Sequence, residues 1–211
     1  MKANQTKEKI IQTAIQLFNE KGVSNVTLRM IGAEAKISSG NITYHYKAKQ
    51  DLIRAVYLKM RETFAQIPLL DHLLFEGGKG LELIKQGFGY VIDFRFFFQD
   101  PMEILRLDPG IQQLHQEETD RMHTLITNTN FIAVGKGVLI PEPWDGYYAY
   151  LAKNIWMCMQ FWIQNQTLQG KPIDDINEGL RTVGALIYPH YTEKGREMYN
   201  RVIEELTGEQ G

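Results

Sequence analysis

The sequence predicts an all-α fold, with a small N-terminal helix-turn-helix domain and a larger C-terminal helical domain. Apolar residues recur at three- and four-residue spacing in nearly every segment, which is the period of an amphipathic helix. No segment shows the alternating apolar and polar pattern of a strand. Glycine and proline divide the 211 residues into short helices near the start and longer ones afterwards. We therefore place the domain boundary between residues 48 and 49.

Charge is distributed unevenly between these two parts. Residues 1–60 contain 8 Lys and 2 Arg against 3 Glu and 1 Asp, a net charge of +6. The whole chain carries −2, so the remainder is strongly acidic. A basic N-terminal part on an acidic protein predicts that only one end binds a polyanion such as DNA.

Composition narrows the class of protein further. The chain is 44% hydrophobic and 23% charged, as in an ordinary globular protein. Polar residues interrupt every apolar run before it reaches the length of a membrane span, and the first residues lack an apolar signal core. The single Cys158 excludes an internal disulfide framework. We expect a cytoplasmic protein without a membrane segment.

Three short helices are predicted in the first 45 residues. The first covers residues 7–21 and is followed by Gly22, a typical C-terminal cap. Thr27 is the predicted N-cap of the second, and Ser38 or Ser39 caps a third that ends near Tyr44. The second and third helices, joined by a tight turn, form a helix-turn-helix, across which the first helix packs.

A fourth helix begins at Lys49 and ends at Pro68, and a loop follows at Gly77, Gly78 and Gly80. The larger domain then contains six predicted helices. They cover residues 81–98, 102–107, 109 to about 132, 144–168, 175–188 and 192–206. The helix over 144–168 is apolar almost all round, so it must be buried on more than one side. We expect one side to face the domain core and another to face a second subunit, with a homodimer contact in about residues 144–188.

The N-terminal part resembles the TetR/AcrR family of bacterial transcriptional regulators over about residues 5–55. The resemblance rests on ordered matches over some fifty residues. They are Ile11, Ala14, Leu17, Phe18 and Gly22, then Val26 to Ile31 with Ala33 and Ala35, then Ile37-Ser38, Gly40 to Tyr46, and Lys49 to Leu52. The resemblance implies a homodimeric repressor. Its three N-terminal helices are expected on palindromic operator DNA, and an inducer pocket is expected in the larger region.

Two residues depart from the family pattern. Lys36 stands in the turn where the family usually has glycine. If this residue is left-handed, a side chain there costs roughly 1 kcal/mol, which a phosphate contact by Lys36 would offset. Thr43 stands where the family usually has tyrosine, so its hydroxyl reaches less far toward a phosphate.

The predicted DNA site follows from how a recognition helix docks. Its N-terminal residues face base edges, which nominates Ser38, Ser39 and Asn41, while Gly40 lets the backbone approach closely. Ile42 and Tyr46 are expected in the core. The predicted phosphate contacts and nearby positive charges are Thr27, Lys36, Thr43, Tyr44, His45, Lys47 and Lys49. The first turn of the fourth helix adds free N–H groups beside Lys49.

A ligand pocket is predicted in the larger domain, for an aromatic or amphipathic small molecule. Aromatic residues with a few polar groups are the usual lining of such a site. The nominated residues are Phe88, Phe94, Arg95, Phe97, His115, Met122, Trp156, Met159 and Trp162. The alternative is a solid aromatic core.

Two other functions stay open at this point. One is a sequence-tolerant architectural DNA-binding protein. The other is an all-α metal-dependent enzyme, since His115 and Glu118 lie three residues apart, although a third ligand is not evident. We expect no cofactor and no metal, because neither a phosphate-binding loop nor a dinucleotide fingerprint is present.

Overall fold

The computed structural model describes residues 2–67 and 79–207, and the side chains of residues 4–67 and 85–205. This part of the chain forms eleven α-helices. The first four are α1 (Lys2–Lys21), α2 (Leu28–Ala35), α3 (Ser39–His45) and α4 (Lys49–Ala65). The others are α5 (Lys79–Asp93), α6 (Arg95–Gln99), α7 (Pro101–Leu107), α8 (Gly110–Gly135), α9 (Tyr147–Leu168), α10 (Ile176–Ile187) and α11 (Glu193–Thr207). The predicted all-α fold is confirmed.

The chain folds into two compact units. The first comprises residues 1–65 with 90–116, and the second comprises residues 66–89 with 117–211. The predicted domain boundary after residue 48 is a different division, because it separates the expected DNA-binding part from the rest of the chain. That boundary stays a prediction.

The first unit is built around α1, whose apolar face is fully buried through Ile10, Ala14 and Phe18. Helices α2 and α4 pack against this face, and α3 packs against α2. The Phe18 and Phe96 ring centroids lie 5.6 Å apart, which brings α6 into the same core. Asp108 is fully buried and receives a hydrogen bond of 2.7 Å from Arg54 Nε, a pairing that lowers the pKa of its carboxyl.

The second unit has its core where α8, α9 and the segment before α11 meet. Its buried residues include Leu139, Tyr148, Leu151 and Tyr191. Residues 137–140 and 190–192 are joined by backbone hydrogen bonds, such as Ile140 N–H to the His190 carbonyl at 2.9 Å. Leu139 and Tyr191 form an isolated antiparallel bridge.

One predicted helix is wrong in its continuity. Residues 81–98 were expected to form a single helix, but Phe94 has φ −111° and ψ 27° and separates α5 from α6. The Asn19 side chain of α1 stabilises this break. Its amide donates to the Asp93 carbonyl at 2.7 Å, and its oxygen accepts from Phe96 N–H at 3.0 Å. These bonds replace two that a continuous helix would make within itself.

The other boundaries differ by small amounts. α1 begins at Lys2 instead of residue 7, and Gly80 lies inside α5 instead of a loop. Pro68, Gly77 and Gly78 lie outside the described residues.

Candidate nucleic-acid interface

α2 is fixed at both of its ends by hydrogen bonds, of which the cap at its start is the one that the sequence predicts. The Thr27 hydroxyl accepts from Met30 N–H at 3.2 Å and caps the start of α2. At the end of α2, Lys36 N–H donates to the Ala33 carbonyl and Ile37 N–H donates to the Gly32 carbonyl. This pair of bonds is a Schellman motif, which places one residue in the left-handed conformation.

Lys36 is that left-handed residue, with φ 55° and ψ 44°. Among the described non-glycine residues it alone has a positive φ. The left-handed conformation, which the sequence left open, is therefore present although a lysine occupies the position. A Cβ at a left-handed position costs about 1 kcal/mol, so the turn stores strain that glycine would avoid.

α3 is held by its buried face. Ser38 caps the helix, and its hydroxyl accepts from Asn41 N–H at 3.3 Å. Ile42 and Tyr46 are buried as predicted, and burial raises the pKa of the Tyr46 phenol to about 12. Gly32 of α2 allows the close approach, because a Cβ there would lie 3.2 Å from Ile42 Cδ1 and 3.1 Å from the Ile37 carbonyl oxygen. The sequence analysis missed Gly32, whose place inside the helix-turn-helix was the available signal.

The opposite face of α3 is polar and open. Ser38, Ser39, Gly40, Asn41, Thr43 and Tyr44 are all exposed. Tyr44 is 79% exposed, and its ring meets that of His45 edge-on at 5.2 Å. Within the described residues the Ser39 and Asn41 side chains make no hydrogen bond, so their donors and acceptors are free for base edges.

Gly40 has no packing role in the part of the chain that the structure describes. No described atom lies within 4 Å of where a Cβ would stand. Glycine in a helix is less favourable than alanine by roughly 0.5–1 kcal/mol. The described fold therefore does not explain this glycine, and its expected role in close approach to DNA stays a prediction.

Thr43 and Lys49 are engaged in hydrogen bonds within the protein. The Thr43 hydroxyl lies 3.0 Å from the Ser39 carbonyl and 3.1 Å from that of Gly40. It must rotate away before it can donate to a phosphate. The Lys49 ammonium donates to the carbonyls of Val23 and Ser24, and partial burial lowers the pKa of this group. Lys49 thus ties the loop after α1 to the start of α4, and one of its three donors stays available.

Lys36 and Lys47 are exposed cations on either side of α3 in the sequence. The start of α4 lies just beyond Lys47. There the Asp51 carboxylate accepts from Ala48 N–H at 2.9 Å, which is half of a capping box. Lys47 makes no hydrogen bond within the described residues, so its charge is free to act on a phosphate.

The predicted pocket residues fall into two groups. Four of them, Phe94, Arg95, Phe97 and His115, belong to the first unit, where the Phe97 and His115 ring centroids are 5.3 Å apart. His115 Nδ1 also lies 3.1 Å from Tyr57 Oη.

The remaining five are Phe88, Met122, Trp156, Met159 and Trp162, which all belong to the second unit. Trp156 Nε1 donates to the Thr119 hydroxyl at 3.4 Å, and the Phe88 and Trp162 rings meet edge-on at 5.4 Å. The structure shows the pairs Phe97–His115 and Phe88–Trp162 in contact, and the pocket stays a prediction.

The described side chains provide no cluster of three or more His, Cys, Asp or Glu that could hold a metal ion. Glu118, considered above as a metal ligand, forms an ion pair with Arg121. No helix in the described part of the chain is long and apolar enough to cross a membrane.

Two family models match successive parts of the chain. The model described as bacterial regulatory proteins of the tetR family matches residues 10–56. The model of the TetR bacterial transcriptional repressor matches residues 80–199, more than half of the chain. The chain belongs to the TetR family. The family consists of DNA-binding transcriptional regulators, so this member is a regulator and not an enzyme.

Individual TetR relatives agree with this assignment. The transcriptional repressor BepR of Brucella suis biovar 1 is 25% identical over 197 residues, covering 88% of this chain and 91% of BepR. The chain spans only 17–35% of the length of the first three curated relatives it matches.

Two solved structures of transcriptional regulators share the fold. A TetR-family regulator from Marinobacter aquaeolei VT8 has a TM-score of 0.77 at 24% identity, over 94% of this chain and 97% of that chain. A transcriptional regulator from Saccharomonospora viridis, described as a complex with choline, has a TM-score of 0.69 at 20% identity, over 90% of this chain and 99% of that one.

Proposed function

We propose that this TetR-family protein is a ligand-responsive repressor that binds a palindromic operator as a homodimer in the cytoplasm. One observation carries the proposal. The N-terminal edge of α3 exposes Ser39 and Asn41 with unused hydrogen-bonding groups, while Ile42 and Tyr46 bury its other side. A short helix held in this way is suited to the major groove, where side-chain amides and hydroxyls distinguish base pairs.

Roles for the individual residues follow from their exposure and bonding. Asn41 is placed to pair with an adenine edge, Ser39 and Ser38 to meet neighbouring base edges, and Gly40 to let the helix approach. The proposed contacts to phosphates are made by Thr27, Lys36, Thr43, Tyr44, His45, Lys47 and Lys49. Lys36, Tyr44 and Lys47 are the strongest of these, because all three are exposed and none makes a side-chain hydrogen bond within the described part of the chain.

The homodimer is supported by the outer face of α9. Tyr150, Met157, Phe161 and Leu168 are exposed at spacings of seven, four and seven residues, which places them on one side of the helix. Leu168 is 87% exposed. A row of large apolar side chains facing water indicates a protein contact, and one surface meeting its own copy gives two-fold symmetry. We propose that this row lies in the dimer interface, within about residues 144–188.

Ligand response is proposed for the aromatic interior of the second unit. A structural neighbour of the same fold is described as a choline complex, which supports small-molecule binding by this architecture. Such a ligand would act by favouring a spacing of the two DNA-binding parts that no longer matches half-sites about 34–36 Å apart.

Selection of bound duplexes from a random pool tests this function. We expect a palindromic consensus from the wild-type protein and, from Asn41→Ala, loss of preference at one base position in each half-site. Lys47→Ala should weaken binding to all duplexes equally. It should also lower the salt slope, which is the dependence of log affinity on log salt concentration, by roughly 1. Lys47 is a better target than Lys49, because replacing Lys49 would also release the Val23 and Ser24 carbonyls.

Competition with random duplex, added to the selection experiment, distinguishes the regulator from a sequence-tolerant architectural protein. Random duplex in excess at physiological salt should leave an operator-specific complex intact, because specific sites bind roughly 10³–10⁷ times more tightly. Equal competition by random duplex, together with a pool that yields no consensus, would contradict the proposed function.

A further inference from the structure

In the second unit, two buried polar atoms lie one helical turn apart on α9 and have no hydrogen-bond partner among the described residues. Trp162 is 4% exposed and its indole Nε1 has no hydrogen bond among the described residues. Gln166 is 2% exposed and its side-chain oxygen is likewise unpaired. Side chains four residues apart on a helix are neighbours, about 5–6 Å apart at their Cβ atoms.

These two atoms are chemically complementary and yet do not bond to each other. The indole N–H only donates, and the amide oxygen only accepts. Had their geometry allowed it, a direct bond would have satisfied both. A buried polar atom without a partner costs roughly 1–3 kcal/mol, so two adjacent ones indicate a missing group between them.

The surroundings of Trp162 are apolar and shaped by a glycine. The Phe88 ring of α5 meets the indole at 5.4 Å, with the ring planes at 84°. Gly179 of α10 admits both rings, since a Cβ there would lie 2.1 Å from Phe88 Cε1 and 3.2 Å from Trp162 Cζ2. Three helices therefore meet at the Trp162 indole, with the Phe88 ring as an aromatic wall.

The charge of α9 limits what the missing group can be. From Asn154 to Leu168 the helix carries no charged residue, and Lys153 is its one charged residue. An ion buried beside Trp162 and Gln166 would find no opposite charge on the helix that supplies its hydrogen bonds, which is strongly unfavourable. A neutral group that both donates and accepts fits both atoms.

We propose that Trp162 and Gln166 form the polar end of the effector site, and that they bind the hydroxyl or amide group of a neutral, mainly apolar molecule. The ligand oxygen accepts from the indole N–H, and its O–H or N–H donates to the Gln166 oxygen. The apolar body of the molecule packs against Phe88. This inference rests on the proposed ligand-responsive function and specifies the chemical class of the effector.

Calorimetric titration with matched naphthalene derivatives tests the inference on the full-length protein. 1-Naphthol and 1-naphthamide can donate and accept, 1-methoxynaphthalene can only accept, and 1-naphthoate is an anion. We expect the methyl ether to bind wild-type protein about tenfold more weakly than 1-naphthol, the size of one hydrogen bond. Comparing 1-naphthol with 1-naphthamide distinguishes a hydroxyl effector from an amide one. The anion should bind most weakly of the four.

Gln166→Met supplies the decisive variant, because it keeps the length of the side chain and removes the acceptor. In this variant 1-naphthol and its methyl ether should bind equally, since the ligand's donor has lost its partner. Gln160→Met, a half-buried position on the same helix, should retain the wild-type ratio of affinities. Thermal melting of Gln166→Met should be no lower than that of wild type, because the oxygen it removes has no partner in the free protein.

The inference is overturned if wild-type protein binds the naphthol and the ether equally, or binds the naphthoate best. It is also overturned if none of the four probes binds, a result expected if a buried water alone joins the two atoms. Failure of the proposed function is a separate result. Weaker binding of the methyl ether than of 1-naphthol to wild-type protein, and equal binding of the two to Gln166→Met, would uphold this site. They would do so even if duplex selection yielded no operator.

Discussion

Helices α3 and α9 distribute their side chains in opposite ways. α3 buries Ile42 and exposes an edge of hydroxyl and amide groups. α9 exposes Met157 and Phe161 while it buries the polar side chain of Gln166. The net charge of the whole chain is only −2, so its overall composition does not reveal this difference between the two helices.

The contrast indicates what each helix binds. When a partner such as DNA covers the polar edge of a helix whose other face is packed, the polar groups lose their hydrogen bonds to water. The free energy lost is small if the partner supplies matching donors and acceptors. An apolar row facing water gains free energy when any dry surface covers it, at about 25 cal/mol for each Å² buried. An unpaired donor and acceptor inside the protein gain most from one small polar group. Three chemically different partners are thus implied by two helices.

The largest expected effect comes from placing charge in the apolar row of α9. The double variant Met157→Glu with Phe161→Glu should leave the isolated chain folded, because both side chains are exposed in it. If the row lies in a dimer interface, two unpaired carboxylates there cost several kcal/mol. Sedimentation at micromolar concentration should show monomers, and binding to a full palindrome should fall at least a hundredfold.

Thr124→Glu is the matched control, since Thr124 is exposed on α8 and lies outside the row. It should stay dimeric. If the double variant remains dimeric at the same concentration, the exposed row of α9 does not lie in the dimer interface. The proposed contrast between α3 and α9 would then lose its account of α9.

Two adjacent residues of α3 offer the next largest effects. Ile42→Ala should lower the free energy of unfolding of the DNA-binding part by about 2–5 kcal/mol, because a fully buried side chain leaves a cavity. Asn41→Ala should leave stability within about 0.5 kcal/mol and weaken operator binding by about 1–3 kcal/mol. Chemical denaturation and operator titration measure the two effects. Loss of stability in Asn41→Ala would mean that its side chain supports the fold.

Sequence periodicity and capping residues were sufficient to predict α1 to α4. Thr27 and Ser38 cap their helices through local bonds, and local bonds can be inferred from neighbours in the sequence. The left-handed conformation at Lys36 could not be predicted from its own residue type, and only the glycine usual in the resembling family suggested it.

Contacts between distant residues could not be predicted in this way. The break at Phe94 depends on Asn19, which lies more than seventy residues earlier, and no glycine or proline marks it. Lys49 looked like a free cation because the carbonyls it binds are 25 and 26 residues away. Gln166 was missed altogether, since an unpaired atom is visible only once every neighbour is placed.

A smaller and opposite pair of effects is expected at Gly40. Gly40→Ala should raise the free energy of unfolding by about 0.5–1 kcal/mol, because alanine stabilises a helix and no described atom opposes the added Cβ. Operator affinity should nevertheless fall, if DNA approaches the backbone there. Gly87→Ala in α5, where a Cβ is equally unopposed, is the control that should gain stability without losing DNA binding. Unchanged operator affinity in Gly40→Ala would show that DNA does not approach the helix backbone closely at this residue.

An effect of similar size is expected at Lys36, where backbone strain and charge can be separated by two substitutions. Lys36→Gly relieves the left-handed strain and should stabilise the protein by about 1 kcal/mol. Lys36→Ala keeps the strain and should leave stability close to that of wild type. Both remove the ammonium, so both should weaken DNA binding equally and reduce the salt slope by roughly 1 if Lys36 contacts a phosphate. Equal DNA binding by the wild type and both variants would leave the strain at this turn without a compensating contact, and the lysine would then be explained by neither stability nor recognition.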